Sequence, residues 1–480
     1  MEPLEGMDAA FLSLETSTTP MHVGAVLVLD PPEGTRSLFS PSTRHAQVRR
    51  VISQRLHMVG PLRQRAMRMP LGLHHPVWVD DPDFELDDHF FRASLPSPGG
   101  PRELDAFVAT LMSRRLDPDR PLWEMHLVEG LEGERTALIA KVHHAILDGV
   151  SGASILAAFL DLNPRARVVG LPTERWDPAP LPNTTQLLRH AAGSLSHQPG
   201  TTLSTVQAGV EAVADLGMHN RALVSRGDLP PPTFFSASRT SFNGAISNRK
   251  RFSSLCVPLD DVKLVRRVFS GTVNDVILAG VAGGLRRLLD ARGETPDHPL
   301  VAMVPVSTRP EGEGEALGNQ ISAMLVSLAT DLDDPVERLL TISAGAGVAK
   351  EHERLHRGRL IGEVAQLTPP AVATRLARVM AGSRIFDRVR PPANVTISGL
   401  KGPDFPLFCA GSRVTAMYPV GPIAEGIGLN VTILSYLDQL HFGLLGCRRL
   451  LPELDDVTLY IDDALGELVG CALDAQGATG

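Results

Sequence analysis

KVHHAILDGVSG, residues 141–152, is the stretch on which the fold turns. It closes a nearly continuous apolar run, TALIAKVHH (136–144), which is the pattern of a strand buried on both faces. SGASILAAFL (151–160) then takes up helical spacing, with Ile155, Leu156, Phe159 and Leu160 on one side. A strand-to-helix junction therefore carries two adjacent histidines, and Asp148 and Gly149 form its turn. Imidazole titrates nearest neutrality, so the pair admits a base, a metal site or hydrogen-bonded core residues. Successive strand side chains point to opposite faces, which keeps His143 and His144 from converging on one ion. One imidazole can then work at the strand end while the other packs. A catalytic and a core histidine both remain open on the residues alone.

Working outward, MHVGAVLVLD (21–30) reads as a strand and ELDAFVATLMSRRLD (103–117) as a helix. From roughly 171 to 242, LPTERWDPAPLPN and GDLPPPTFF bracket a looser, partly helical stretch. Beyond it, GTVNDVILAGVAGGLRRLLD (271–290) is a helix with one apolar stripe, and Thr272 with Asp275 forms a capping box. LVAMVPVS (300–307) reads as a buried strand and GLNVTILSYLDQLHFGLLG (428–446) as a hairpin. A chain of 480 residues exceeds one hydrophobic core. The expected division is residues 1–182, a connection at 183–242, and residues 243–480.

The formal net charge is -8 with no long basic run, which argues against a nucleic-acid partner. Cys256, Cys409, Cys447 and Cys471 form no CxxC pair, which suits a reducing cytoplasm and no disulfide framework. MEPLEGMDAAFLSLET lacks a signal-peptide pattern, and no apolar run reaches the ~18 residues that span a bilayer. Membrane contact is expected to be peripheral. Trp123 reads as packing beneath the site. His74 and His75 read as loop residues. The densest basic patch, Arg249, Lys250 and Arg251, is a solvated turn or a phosphate contact.

HHAILDG (143–149) matches the HHxxxDG signature of coenzyme A-dependent acyltransferases of chloramphenicol acetyltransferase-like fold. MDAAFLSLETSTTPMHVG (7–24), PLWEMHLVEGL (121–131), NDVILAGVAGGLR (274–286) and PVSTR (305–309) narrow the match. With these, nearly the whole chain resembles the bacterial wax ester synthase/acyl-CoA:diacylglycerol acyltransferase family. The resemblance implies two similar α/β domains with a tunnel between them. It implies His144 as general base, with His143, Asp148 and Gly149 supporting the site and Arg309 as a candidate partner of Asp148. Asn274, in the first turn of the capped helix, is the candidate oxyanion donor. Acyl-CoA is implied as co-substrate, with no permanently bound cofactor and no metal. Its partners would be diacylglycerol or a long-chain alcohol and a membrane or lipid-inclusion surface. Arg249, Lys250 and Arg251 are the candidates for the coenzyme A phosphates. NVTISGLKGP (394–403) departs from the family's asparagine-proline-glycine turn, since Thr396 stands at the proline. The competing readings are a carrier-protein-dependent condensation enzyme, a non-catalytic lipid-inclusion coat, and a metal hydrolase built on His143, His144 and Asp148.

Overall fold

The computed structural model describes residues 2–4, 6–31, 41–70, 75–148, 152–170, 176–189, 231–307, 321–356 and 370–478. A short sheet of β1 (Glu2–Pro3), β4 (Val77–Asp80) and β3 (Gln64–Met67), in that order, lies at the N-terminal edge. The first large sheet contains β2 (His22–Leu29), β5 (Phe90–Ser94), β6 (Trp123–Glu129), β7 (Thr136–His143), β12 (Phe408–Cys409) and β13 (Ser412–Val420). Its order is β12-β13-β2-β7-β6-β5. The second contains β8 (Lys250–Pro258), β9 (Val301–Ser307), β10 (Ile321–Ser327), β11 (Val395–Lys401), β14 (Leu429–Tyr436) and β15 (Gln439–Cys447). Its order is β10-β9-β11-β14-β15-β8.

The first sheet is assembled from distant parts of the chain. β13 pairs antiparallel with β2, setting Met417 opposite Leu27 and Tyr418 opposite Val26. One face of this sheet packs Leu138, Val142 and Trp123 against Ile52 and Phe159. On the other, Val26 and Ile139 meet Val108 and Met112 of the helix Pro101–Met112, together with Phe252 and Leu445 of the second sheet. The two sheets thus share a core. Their backbones approach closely at Gly443 of β15, where a Cβ would lie 1.8 Å from the Pro419 carbonyl oxygen of β13.

The second sheet is covered by the helices Val273–Ala291 and Leu454–Gly477. The expected capping box is present. Thr272 Oγ1 accepts the Asp275 N–H at 3.1 Å, and Asp275 accepts the Thr272 N–H at 2.8 Å. Close packing of these helices needs a small residue at Gly284, where a Cβ would stand 2.5 Å from Ile461 Cγ1 and 2.8 Å from its backbone nitrogen. NVTISGLKGP, which departs in sequence from the family's asparagine-proline-glycine turn, is extended over most of its length. Val395–Lys401 is a strand, parallel to both β9 and β14, and buried at Val395, Thr396 and Ile397. β-Branched residues suit that interior position.

In the first half a buried ion pair ties two elements together. Arg55 Nη2, at the end of the helix Pro41–Arg55, donates to both carboxylate oxygens of Asp161 at 2.8 and 3.0 Å. Arg55→Ala would remove the bidentate partner of this buried carboxylate, leaving it, among the described residues, the Arg167 N–H at 3.2 Å and the Arg167 guanidinium at 3.8 Å. The expected loss is about 3 kcal/mol, the low end for a broken buried pair. Urea unfolding of the variant beside wild type measures it.

Candidate active site

β7 ends at His143, and His144 opens a short 3-10 turn, His144–Asp148. The His143 backbone N–H donates to the Leu122 carbonyl at 2.9 Å, one residue before Trp123 on the neighbouring strand. Its Nδ1 accepts the Ala145 N–H at 3.1 Å, which fixes the proton on Nε2 and closes the turn over the strand end. His143 is buried, and burial pushes its pKa down to about 3. This neutral imidazole shapes the turn.

His144 leaves in another direction. Its N–H donates to the Met21 carbonyl at 2.8 Å, which anchors the turn to the segment entering β2. Its ring lies 4.0 Å from that of Phe11, tilted by 30°. Phe11 belongs to the helix Gly6–Leu14. Burial drives the His144 pKa down to about 4, against a smaller opposing pull from its own backbone carbonyl. The ring is therefore neutral at physiological pH, the form in which it can accept a proton. Leu12, the residue after Phe11, borders a cavity of about 420 Å³. Glu15, Arg68, Arg115, Thr374 and Arg378 complete much of its wall. Arg115 pairs with Glu15 and is close enough to help depress the His143 pKa.

Trp123 is fully buried at the start of β6, with Nε1 donating to the Leu62 carbonyl at 2.7 Å and its ring stacked 4.7 Å from His89. It backs the strand that carries the histidines, opposite Val142. Asn274 lies in the other half of the molecule. Its Oδ1 would be 3.2 Å from a Cβ at Gly399 of β11, so the carboxamide rests against that strand. The Arg249–Arg251 run is not presented as a patch. Lys250 is buried, its Nζ donating to the Thr18 and Ser247 carbonyls at 2.6 and 2.8 Å, and Arg251 pairs with Asp455 at 2.7 Å. Arg249 contributes its carbonyl to the Arg448 N–H. His74, Gly149, Arg309 and the side chain of Asp148 lie outside the described residues. Phe11 and the cavity arginines escaped sequence reasoning. They sit on separate elements and carry no spacing signal.

The buried neutral histidines also set a pH dependence. Their folded pKa values, about 3 and about 4, lie below the unfolded value near 6.5. Unfolding then takes up protons between those limits, so their contribution to stability is complete above about 6.5 and declines as pH falls toward 4. Urea midpoints measured between pH 7.5 and 4.5 should decrease, with a shallower slope in His143→Asn.

Superposed on solved structures, the chain covers 98% of its own length and 95% of the first condensation domain of the calcium-dependent antibiotic synthetase. The TM-score is 0.52 at 16% identity, so the two share a fold: the two-domain, chloramphenicol acetyltransferase-like α/β architecture. The wax ester synthase/diacylglycerol acyltransferase of Marinobacter aquaeolei VT8 matches with TM-score 0.67 and 32% identity over 98% of this chain and 99% of that one. The family model for the wax ester synthase/diacylglycerol acyltransferase catalytic domain matches residues 4–277, and its C-terminal domain matches residues 317–469. A Mycobacterium tuberculosis protein with a provisional diacylglycerol O-acyltransferase name is 37% identical over 92% of this chain and 91% of its own. Another is 35% identical over 98% and 97%. The chain belongs to the wax ester synthase/diacylglycerol acyltransferase family.

Proposed function

We propose that the protein transfers a long-chain acyl group from coenzyme A to the hydroxyl of diacylglycerol, and also to fatty alcohols, with His144 as general base. The observation that carries this reading is a neutral imidazole at a strand end, seated on Phe11, whose helix also supplies Leu12 to the cavity wall. A neutral aliphatic alcohol is a poor nucleophile, and an imidazole within hydrogen-bond reach removes its proton as the C–O bond forms. The imidazolium then returns the proton to the departing thiol, so no acyl-enzyme is required. Desolvation makes that imidazolium costly and its proton readily surrendered.

In this reading His143 holds the turn that aims His144, and Asp148, Gly149 and Arg309 support it. Asn274 serves as donor to the tetrahedral oxyanion, or positions it, from the first turn of a helix whose N-terminus favours negative charge. The cavity arginines Arg68, Arg115 and Arg378 are better placed for an anionic donor than Arg249, Lys250 and Arg251, since Lys250 is committed to backbone carbonyls. The two domains are taken as residues 1–182 and 243–480, with the connection at 183–242. Diacylglycerol is put first because it is the acceptor named for the Mycobacterium tuberculosis relatives.

The test is thiol release from palmitoyl-CoA by wild type, with dioleoylglycerol or hexadecanol supplied. Acceptor-dependent release is expected, and the ratio of the two rates assigns the ester made. Release with neither acceptor from folded protein would refute the free acyl-CoA donor and return the carrier-dependent and lipid-coat readings.

A further inference from the structure

A surface helix normally turns its polar side to water. Over its last turns the helix Pro370–Ser383 turns apolar side chains to water as well. Thr374, Arg378 and Ala381 share the face that borders the cavity, toward the helix Gly6–Leu14. The opposite face presents Leu376 and Val379, which are 56% and 66% exposed. The apolar exposure continues past the helix end through Ile385 and Val389. Phe234 and Phe235 extend it, also exposed, on a segment fastened alongside. That fastening is given by the Phe235 N–H donating to the Pro392 carbonyl at 3.4 Å and Arg390 donating to the Ser236 carbonyl at 3.2 Å. Phe386, buried between them, anchors the turn.

Charge follows the same stretch. Residues 370–390 contain Arg375, Arg378, Arg384, Arg388 and Arg390 against a single acid, Asp387, in a chain whose net charge is -8. Asp387 is already occupied by Arg384 at 2.8 Å and by the Ala245 N–H at 2.8 Å. The result is an exposed aliphatic and aromatic strip rimmed by guanidinium groups. Such a strip buries its apolar side chains at the headgroup boundary while the arginines meet anionic lipid.

We propose that the helix Pro370–Ser383, the turn through Arg390 and the Phe234–Phe235 segment form one docking surface for an anionic lipid surface. A protein partner would not require the excess of arginine over acid, whereas an anionic bilayer or lipid-inclusion surface does. The placement has a consequence for access. The same helix separates this strip from the cavity, so a lipid acceptor dissolved in the docked surface lies one helix away from the Arg378 wall. The docking surface does not depend on the acyl-transfer reading, and its test uses no turnover.

The test is co-sedimentation of the full chain with vesicles of phosphatidylcholine alone and of phosphatidylcholine with phosphatidylglycerol. Wild type should pellet with the anionic vesicles and should be released by salt. Leu376→Asp/Val379→Asp and, separately, Arg375→Gln/Arg388→Gln should each weaken that binding by about 10-fold or more. Near-UV circular dichroism checks the fold, and the arginine pair decides the matter if the aspartate pair misfolds. Unchanged vesicle binding in folded variants would overturn the proposal, as would wild type that pellets with neither vesicle or equally with both. Variants that split a dimer in light scattering while still pelleting with lipid would also overturn it, and would assign the strip to a second copy of this chain.

Discussion

His144→Ala is expected to lower acceptor-dependent thiol release from palmitoyl-CoA by about 10²–10⁴-fold, the usual worth of a positioned general base. The fall should appear in kcat, because the imidazole acts on the proton that moves in the transition state and contributes little to holding either substrate. Folding should survive the change. The anchoring bond to Met21 comes from the backbone N–H, and among the described residues the ring's Nδ1 takes no hydrogen bond from another residue. The pH profile separates a base from a packing residue. With its pKa held down to about 4, His144 stays neutral through the weakly acid range, so kcat/KM should not break near 6.5 as it would for an exposed histidine. His143→Asn provides the contrast. That variant loosens the turn, and partial activity with an altered KM would mark His143 as a positioning residue. Equal activity in His144→Ala and wild type would remove His144 from the chemistry. Chelator should leave the rate of wild type unchanged; inactivation by chelator would instead favour the metal-hydrolase reading.

Gly443→Val is expected to cost more than any surface change, about 4 kcal/mol or more, and to yield little folded protein. A Cβ there would lie 1.8 Å from the Pro419 carbonyl oxygen, and both atoms belong to backbones locked in strands. No rotamer change relieves such a contact, so the two sheets must separate. Their separation would expose the shared core of Val26, Ile139, Phe252 and Leu445. Thermal unfolding followed by circular dichroism is the measurement, with Gly345→Ala as control, since among the described residues no atom beyond its own stretch of helix lies within 4 Å of a Cβ at that position. A midpoint close to wild type in Gly443→Val would show that the sheets are not held in contact at this point.

Much of the local structure was legible in the sequence because its causes are local. The apolar run ending at His143, the stripe and capping box of the helix Val273–Ala291, and the β14–β15 hairpin all appear where periodicity and caps placed them. The exception is Val395–Lys401, which was set against a family turn on the resemblance alone, while its position between β9 and β14 was invisible. Lys250 was misjudged for a related reason. A run of basic residues looks solvated until tertiary packing supplies carbonyls such as that of Thr18 to receive the ammonium.

By itself, then, the sequence determined many of the individual strands and helices, the resemblance to the family, and the histidine pair at a strand end. These depend on side-chain periodicity and on a short contiguous motif. The tertiary structure alone decided which imidazole packs and which rests on Phe11, which arginines line one cavity, and that β13 completes a sheet begun by β2. Those outcomes join residues far apart along the chain. They are set by burial, desolvation and backbone pairing, which no local pattern encodes.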